Sequence, residues 1–442
     1  MTQEKITPNH MDIYWHDYAD RTPDAPVTEA SMIEKSTLVG RIGLMLLGCG
    51  TGAWRVRSAM NTVAQKLGLT CTANIGLMSI DYSCFDGDRS FSHSLSLNNT
   101  GVNTCKLDRL ERFVKEFDQK AGAMTTDQLH FHLDEIDRIG NQYTPAQLGL
   151  ASALACGAFT FLLGGGIIEI LCAFIGSGVG NYLRCKLLRK HYTLFLCIVS
   201  SVALACLAYT LSLRAAEAVF SLSVQHEAGY ICAMLFIIPG FPFITSGIDL
   251  AKLDMRSGIE RLVYALMIIV VATVTAWILA LALNLKPEEF VALSLPAGLL
   301  FALRLLASFC GVFGFSIMFN SPLPMAVTAG LIGAVANTLR LEMVDLTALP
   351  PSAAAFLGSL AAGLIASLLT KKLGYPRISI TVPSIVIMVP GLYLYRGVYN
   401  LGEMSLTPSA SWLASALLII LALPLGLIFA RIITDRSFRH CT

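Results

Sequence analysis

The chain has 442 residues, of which 55% are hydrophobic and only 14% are charged, and its formal net charge is +2. A typical soluble domain carries about 25% charged residues, so this composition excludes an ordinary soluble protein. A near-neutral chain without a long basic run also predicts that there is no nucleic-acid partner.

Charged residues are concentrated at the start of the chain. Residues 1–145 contain 18 of the 30 acidic and 14 of the 32 basic residues. The rest is nearly free of charge between short loops, so it cannot form the polar exterior of a soluble domain. No apolar segment of a secretory signal opens the chain, and the first domain is therefore expected in the cytosol. We expect a flexible tail over 1–37, a cytosolic α/β domain over 38–146, five-helix transmembrane units over 147–284 and 285–434, and a cytosolic tail over 435–442.

The expected α/β domain combines helical patterns with a strand-rich stretch. An amphipathic helix follows Thr51, a residue type that caps helices, and strand-like pieces come next. Asp81, Asp86, Asp88 and His93 fit a solvated acidic hairpin tip better than a metal or hydrolytic cluster. The domain shows no nucleophile–base pair, so the sequence predicts no catalytic residue, no metal, no cofactor and no enzyme activity.

Ten stretches after residue 146 have the character of membrane-spanning helices, which need about 20 mostly apolar residues. The run 290–319 is too long for one straight crossing, so Pro296 is expected to kink it or its first turns to lie in the interface. The spans are expected near 147–164, 167–184, 193–211, 229–248, 262–284, 290–319, 323–339, 352–370, 378–400 and 410–431.

Charges in the expected loops indicate the orientation of these spans. If the first domain is cytosolic, many more basic residues lie on the cytosolic side than on the opposite side. The positive-inside rule then supports ten spans with both termini in the cytosol. The cytosolic loops and tail carry Arg184, Lys186, Arg189, Lys190, Lys252, Arg256, Arg261, Lys371, Lys372, Arg377, Arg431, Arg436 and Arg439, and the opposite loops carry Arg214, Lys286 and Arg340.

Two internal echoes predict that the ten spans form a 5+5 inverted repeat. Ile237-Ile238-Pro239-Gly240-Phe241 in the fourth span is echoed by Met388-Val389-Pro390-Gly391-Leu392 in the ninth, 151 residues later (388 minus 237). A weaker echo relates 159–163 to 315–319. An odd number of crossings per unit places the two units in opposite orientations, and inverted repeats with broken helices are typical of secondary transporters. The predicted fold is a mainly α polytopic membrane protein that follows a small α/β cytosolic domain.

Proline–glycine breaks inside membrane spans have a chemical consequence. Proline removes a backbone donor, glycine lets the chain change direction, and the freed backbone groups must contact protein or a wet cavity. The helix that resumes after a break presents partial positive charge to a carboxylate. Pro239, Gly240, Pro390 and Gly391 are therefore expected to shape a midplane site for a small anionic or zwitterionic molecule. Kinks that serve packing alone are the alternative.

Few ionisable residues lie within the expected spans, where each is costly unless it is paired. Arg304 and Arg396 are candidates to bind a substrate carboxylate, with snorkelling to the interface as the alternative. Glu169 and Asp249 are candidate proton carriers. No histidine lies within an expected span, which argues against a histidine proton relay.

Several motifs resemble those of the threonine/serine exporter family, over a region from about Val39 to Gly402. The stretches 50–56 (GTGAWRV) and 389–397 (VPGLYLYRG) are similar to the family's first amphipathic helix and to its carboxy-terminal component. Leu253 stands where the family often has glycine. The most specific match consists of Pro239-Gly240, Asp249, Asp254, Ser257-Gly258-Ile259 and Arg261.

The resemblance implies a secondary transporter in the cytoplasmic membrane that exports threonine and serine, driven by a proton gradient or the membrane potential. Export of small dicarboxylates such as succinate, a membrane-anchored hydrolase and a sensor are the alternatives. The implied partners are a small-molecule substrate and membrane lipid, and a homo-oligomer is compatible with the sequence. The residues expected along the transport pathway are Pro239, Gly240, Asp249, Asp254, Gly258, Arg261, Arg304, Pro390, Gly391, Tyr395 and Arg396.

Overall fold

Two units make up the chain, Met1–Gly140 and Asn141–Thr442. The computed structural model describes residues 11–19, 25–121, 123–220, 226–285, 290 and 295–439. The first unit contains a small sheet with short helices, and the described part of the second unit is helical. This is the expected order of a small α/β domain followed by a polytopic helical region.

The first unit is built around an antiparallel sheet with the strand order β1-β2-β3. Its elements are α1 (Met32–Gly48), α2 (Ala53–Lys66), β1 (Thr70–Ile75), β2 (Ser79–Asp86), β3 (Arg89–Ser96), α3 (Thr104–Lys115), α4 (Phe117–Ala121) and α5 (Thr126–Asp137), with 3₁₀ turns at Trp15–Tyr18 and Val27–Glu29. Along most of β2 every second side chain is buried, as expected for a sheet that is covered on one face. Helix α1 contacts β2 and β3, and α2 contacts β1, so these two helices supply the cover.

The start of the first unit differs from the expectation. Helix α1 begins at Met32, inside the stretch expected to be a flexible tail, because Ser31 and Glu34 form a reciprocal capping box. Residues 1–10 and 20–24 of that stretch lie outside the described residues. The predicted cap of α2 is wrong: Gly52 is the N-cap, and no side chain caps the helix. The predicted apolar face of α2 is buried.

The described part of the second unit contains eight continuous helices that are long and apolar enough to cross a membrane. They are α6 (Pro145–Leu162), α7 (Ile167–Arg189), α8 (Leu194–Phe220), α10 (Met255–Ala282), α11 (Ala297–Met318), α12 (Leu323–Thr347), α13 (Pro351–Leu373) and α16 (Leu406–Thr434). Two bent pairs complete the unit: the 3₁₀ helix Glu227–Ile237 with α9 (Gly240–Ala251), and α14 (Arg377–Val386) with α15 (Gly391–Gly402). The number of spans is ten if each bent pair is one span.

Two expectations about the helical unit are corrected. Helix α11 begins at Ala297 with Pro296 as its N-cap, so this proline opens a helix and does not kink a longer one. Most of the basic residues expected in loops lie within helices, among them Arg184 of α7, Arg214 of α8 and Arg340 of α12. A hydropathy profile ends a predicted span at a charge, whereas backbone hydrogen bonding carries the helix past it. Lys286 lies outside the described residues.

The helices of the second unit pack in matching pairs. Helix α6 contacts α7, and α11 contacts α12. Helix α9 contacts α16, and α15 contacts α10. Helices α6 and α11 also contact each other, and small residues allow their close approach: a Cβ added to Gly314 would lie 2.9 Å from the Cβ of Ala155. Helix α14 contacts α9, which brings the two broken segments together.

Candidate functional site

Both bent pairs break at a proline with nearly the same backbone conformation. Pro239 has φ −81° and ψ 60°, and Pro390 has φ −82° and ψ 55°. The N–H of the following glycine donates to the carbonyl two residues earlier, at 2.8 Å for Gly240 and 2.9 Å for Gly391. This geometry is an inverse γ-turn. It accompanies a bend of 59° in the first pair and 50° in the second.

The two breaks pack against each other reciprocally. A Cβ placed on Gly240 would lie 3.2 Å from Val389, and a Cβ placed on Gly391 would lie 3.1 Å from Ile238. Val389 follows Ile238 by 151 residues (389 minus 238), the interval that also separates the two glycines (391 minus 240). Gly240 therefore packs against Val389 of the second break, and Gly391 packs against Ile238, the equivalent position of the first break.

A cavity of about 460 Å³ lies beside the second break. Its volume is in the range of small-molecule sites. Pro390 and Gly391 form part of its wall, and Trp412 of α16 lies on another side. Among the described residues that line it, the charged ones are Arg340 and Arg396. The cavity therefore combines an apolar wall with two guanidinium groups.

The electrostatic character of the cavity is positive. The Nε atom of Arg340 is buried and has no hydrogen-bond partner in the part of the chain that the structure describes. The guanidinium of Arg396 lies over the Trp412 ring, 4.8 Å from its centroid, which is a cation–π contact. Helix α15 begins at Gly391 on the cavity wall, and a helix N-terminus adds partial positive charge. These groups together suit a carboxylate.

Several of the predicted pathway residues meet at this place. Pro390, Gly391 and Arg396 line the cavity. Gly240 does not line the cavity, but it packs against Val389, which does. The second break therefore lines the cavity, while no described residue of the first break is part of that lining.

Other predicted residues lie outside the cavity lining, at the junction of α9 and α10. Asp249 accepts a hydrogen bond from Ser257 at 2.9 Å and lies 3.3 Å from Nε of Arg261. Both charged side chains are buried. Asp254 precedes α10 and Gly258 lies in its first turn. A buried acid and a buried base that satisfy each other fit a structural role.

Arg304 and Tyr395 also lie outside the cavity lining. Arg304 of α11 pairs with Glu342 at 2.8 Å and with Asp345 at 2.5 Å, and both acids belong to α12. Its charge is therefore matched within the chain. Tyr395 is buried, and its hydroxyl has no hydrogen-bond partner among the residues described.

Glu169, one of the two candidate proton carriers, forms a buried pair near the start of α7. His226 Nδ1 lies 2.7 Å from Glu169 Oε1, and Glu169 Oε2 is buried without a hydrogen-bond partner in the described structure. Tyr209 donates a hydrogen bond to the His226 carbonyl at 2.6 Å. His226 is the N-cap of the 3₁₀ helix that leads to the first break. The argument against a histidine relay therefore no longer holds, because the histidine sits just before the span.

A cluster of histidine and aspartate surrounds Arg41 in the first unit. Arg41 lies 3.0 Å from His130 Nδ1 and pairs with Asp134, while His16 lies 2.5 Å from Asp127 and 3.0 Å from Asp134. Burial alone would lower the pKa of His16, but its contacts with the two aspartates outweigh burial and raise that pKa. Burial and then the Arg41 charge lower the pKa of His130 to about 3. The cluster fastens the segment around His16 onto α5.

The acidic hairpin of the first unit is tied by local hydrogen bonds. Asp81 accepts a hydrogen bond from Ser94 on the neighbouring strand at 2.6 Å. Over the described residues, no group of three or more histidine, cysteine, aspartate or glutamate side chains is placed to hold a metal ion.

Comparison with family models identifies the family of this chain. Residues 37–284 match the threonine/serine exporter model ThrE, and residues 304–433 match the model ThrE_2, described as "Threonine/Serine exporter, ThrE". The chain belongs to the threonine/serine exporter family. A curated threonine/serine exporter from Corynebacterium glutamicum is 23% identical to it over 405 residues, which cover 85% of this chain and 79% of that protein. No solved structure matches the chain. The first matched region ends just after α10, and the second begins within α11.

Sequence reasoning missed two residues of this threonine/serine exporter family member. Arg340 was assigned to a loop, although an Asn-x-Leu-Arg motif occurs on both α7 and α12, a recurrence that singles it out. His226 lies one residue before the bent pair, and no local sequence signal connects it to Glu169, which is 57 residues away.

Proposed function

We propose that this protein is a secondary transporter that exports threonine and serine across the cytoplasmic membrane. The family membership supports the substrate class. The observation that carries the proposal is the cavity at the second break, where Arg340 and Arg396 face an otherwise apolar chamber beside the start of α15. A free amino acid has a carboxylate that such a site would bind.

The proposed binding mode uses both ends of the substrate. The carboxylate contacts the guanidinium of Arg340 or Arg396 and the N–H groups that follow Gly391 in the first turn of α15. The ammonium group contacts backbone carbonyls in the broken stretch 387–389, which lines the cavity, and unwound carbonyls coordinate cations in other broken-helix transporters. The faces of Tyr393 and Trp412 add cation–π attraction.

We further propose that the two five-helix units form the 5+5 inverted repeat. The reciprocal packing of Gly240 and Gly391 supports it, and so does a second matched contact. Ser246 Oγ donates to the Gly258 carbonyl, and Ser409 Oγ donates to the Gly397 carbonyl, both at 2.7 Å. Gly397 follows Ser246 by 151 residues, and Ser409 follows Gly258 by the same interval. The serine donor of one unit therefore stands at the position of the glycine acceptor in the other unit. Alternating access then proceeds by movement of one unit against the other.

The proposed energy source is the proton gradient or the membrane potential. Of the two candidate carriers, Glu169 is favoured, because Asp249 is already paired with Arg261 and Ser257. Glu169 retains a buried oxygen without a hydrogen-bond partner among described residues, and it contacts His226. Gain or loss of a proton by this pair changes its charge inside the bundle, where charge is costly.

The remaining proposals concern topology. The loop charges support cytosolic termini, with the first unit as a cytosolic domain and lipid around the exposed apolar helix faces. We propose no catalytic role for the first unit, and a homo-oligomer is compatible with this arrangement.

A small dicarboxylate is the second candidate substrate. Two arginines line the cavity without an acidic residue among the described lining, and this charge would suit two carboxylates as well as one. An amino acid would use one arginine and leave the other for a counter-ion. The same transport assay separates the two candidates.

The test is transport by purified full-length protein in liposomes. Labelled threonine, serine and succinate are offered with and without an imposed potential and pH gradient. We expect gradient-dependent accumulation of threonine and serine, and weak competition by succinate. Accumulation of succinate in place of the amino acids would support the second candidate. Folded protein that moves none of the three would overturn the transporter proposal.

A further inference from the structure

An internal motif links the helices that follow the first helix of each unit. Asn181-Tyr-Leu-Arg184 on α7 and Asn337-Thr-Leu-Arg340 on α12 are 156 residues apart (340 minus 184). The same interval separates the stretches 159–163 and 315–319 (315 minus 159). The motif thus falls at matching positions of the two units, and each copy ends in an arginine within a helix.

The two asparagines make similar contacts. Each is buried, and each amide reaches the first helix of its own unit: Asn181 donates to the Leu148 carbonyl at 2.9 Å, and Asn337 donates to Ser308 Oγ at 2.9 Å. The Oδ1 atom of each asparagine is buried without a hydrogen-bond partner in the described regions. These contacts fix the turn that carries each arginine.

The two arginines share an unusual state. The Nε atoms of Arg184 and Arg340 are both buried and without a hydrogen-bond partner as far as the structure describes the chain. A buried guanidinium nitrogen without a hydrogen-bond partner is costly in an apolar bundle. Arg340 faces the cavity, where a carboxylate can bind it. Arg184 lies outside that cavity lining, although its Nε atom is likewise buried and without a hydrogen-bond partner among the described residues.

Arg184 also lies near the first break, as Arg340 lies near the second. Gly180, one turn before Arg184, is so close to the 3₁₀ helix that an added Cβ would lie 3.0 Å from the Phe236 ring. Phe236 corresponds to Ile387, 151 residues later, and Ile387 lines the cavity together with Arg340. The helical turn that precedes Arg184 therefore packs against the segment before the first break.

We propose that Arg184 is a second carboxylate-binding residue for the same substrate, used when the transporter opens toward the opposite face of the membrane. The inference rests on the proposed function and on the inverted orientation of the two units. In an inverted repeat, matching residues lie near opposite membrane faces. Arg340 binds the carboxylate in the open state of its own face, and Arg184 binds it in the other.

The experiment measures the affinity of each face separately. Full-length protein is reconstituted in one orientation, and threonine exchange is followed while the internal or the external concentration is varied. We expect R340Q to raise KM about tenfold or more on one face, and R184Q to raise it by a similar factor on the other face only. R184K should fall between wild type and R184Q, because lysine keeps the charge but lacks the bidentate fork.

A matched control lies on the same helix. Arg189 of α7 already donates to the Tyr143 carbonyl at 3.3 Å, so R189Q should leave KM on both faces unchanged. Thermal unfolding of each variant, with R184K as the conservative substitute, separates loss of affinity from loss of fold.

The outcomes are distinct. An active wild type with R184Q at wild-type KM on both faces overturns the inference alone and leaves Arg184 as a residue that extends to the lipid interface. R184Q and R340Q that raise KM on the same face overturn it as well. A folded wild type that exchanges neither threonine nor serine overturns the proposed function, and the inference with it.

Discussion

Gly240 and Gly391 lie on opposite breaks, and each is enclosed by the segment that precedes the other. Gly240 contacts Val386 and Val389, and Gly391 contacts Leu235 and Ile238 at equivalent positions. Neither position has space for a side chain. The absence of a Cβ therefore determines how closely the two broken segments approach.

A methyl group at position 240 should impair transport. G240A forces Val386 or Val389 to move, and overpacking of this kind costs about 1–3 kcal/mol, so we expect transport to fall about tenfold. G391A should have a smaller effect, because it meets the flexible end of Leu235 at 2.9 Å. The measurement is threonine exchange in liposomes. Gly298 is the control, since an added Cβ there meets nothing within 4 Å. A G240A protein as fast as G298A would contradict the reciprocal packing.

Removal of either cavity arginine should weaken substrate binding. R340Q and R396Q each remove a charged donor, and a hydrogen bond to a charged group contributes about 1.5–3 kcal/mol, which corresponds to roughly 10–100-fold in KM. R304Q serves as comparison, because Arg304 pairs with Glu342 and Asp345 outside the cavity lining. Its KM should stay near wild type while its melting temperature falls. Equal changes in KM for all three variants would argue against the cavity as the binding site.

The buried pair of Asp249 and Arg261 should behave as a coupled structural unit. D249A or R261M alone leaves one buried charge unmatched, which costs about 3–5 kcal/mol. The double variant removes both charges and should melt closer to wild type than either single variant. Melting temperature in detergent is the measurement. Shifts that simply add in the double variant would show that the pair is not coupled.

The pair of Glu169 and His226 should control the pH dependence of transport. E169Q cannot exchange a proton, so we expect its exchange rate to become nearly independent of pH and its accumulation against a pH gradient to be lost. H226Q should shift the pH profile without abolishing it, because the carboxylate remains. Flow driven by a pH gradient is compared with exchange at equal pH. An E169Q protein with the wild-type pH profile would assign the carrier elsewhere.

The contact between His16 and α5 should be lost at alkaline pH. The pKa of His16 is raised in the folded protein, so the protonated histidine stabilises the contact at pH values below its ordinary pKa of about 6.5. That stabilisation disappears as the pH rises through the raised pKa. The measurement is the hydrogen-exchange protection of residues 15–18 in the full-length protein, from about pH 5.5 to about pH 8.5. We expect this protection to fall as the pH rises, and H16Q to show the lower protection already at low pH. Protection that does not change with pH in wild type would contradict this assignment.

The sequence predicted the large features of the membrane unit because they depend on composition. Apolar length locates the helices, and the two Pro-Gly pairs locate both bends. Helix ends were less predictable: α7 continues to Arg189 and α12 to Thr347, since a charge interrupts a hydropathy pattern but not a hydrogen-bonded helix.

The lining of the candidate cavity was predictable only where local chemistry marks it. Pro390, Gly391 and Arg396 were identified because breaks and charges are conspicuous in an apolar span. The role of Arg340 depends on which face of α12 meets the cavity, and the partner of Glu169 depends on tertiary contact with His226. Neither relationship follows from residue order alone.

The length of the segment between His226 and Pro239 depends on its helix type. Its 3₁₀ helix contains 11 residues, far more than the three or four at which such helices usually end. A 3₁₀ helix rises about 2.0 Å per residue and an α-helix about 1.5 Å, so the same segment as an α-helix is about 5.5 Å shorter. A change of this segment from 3₁₀ to α-helix would therefore bring the pair of Glu169 and His226 closer to the first bend by about the rise of one α-helical turn.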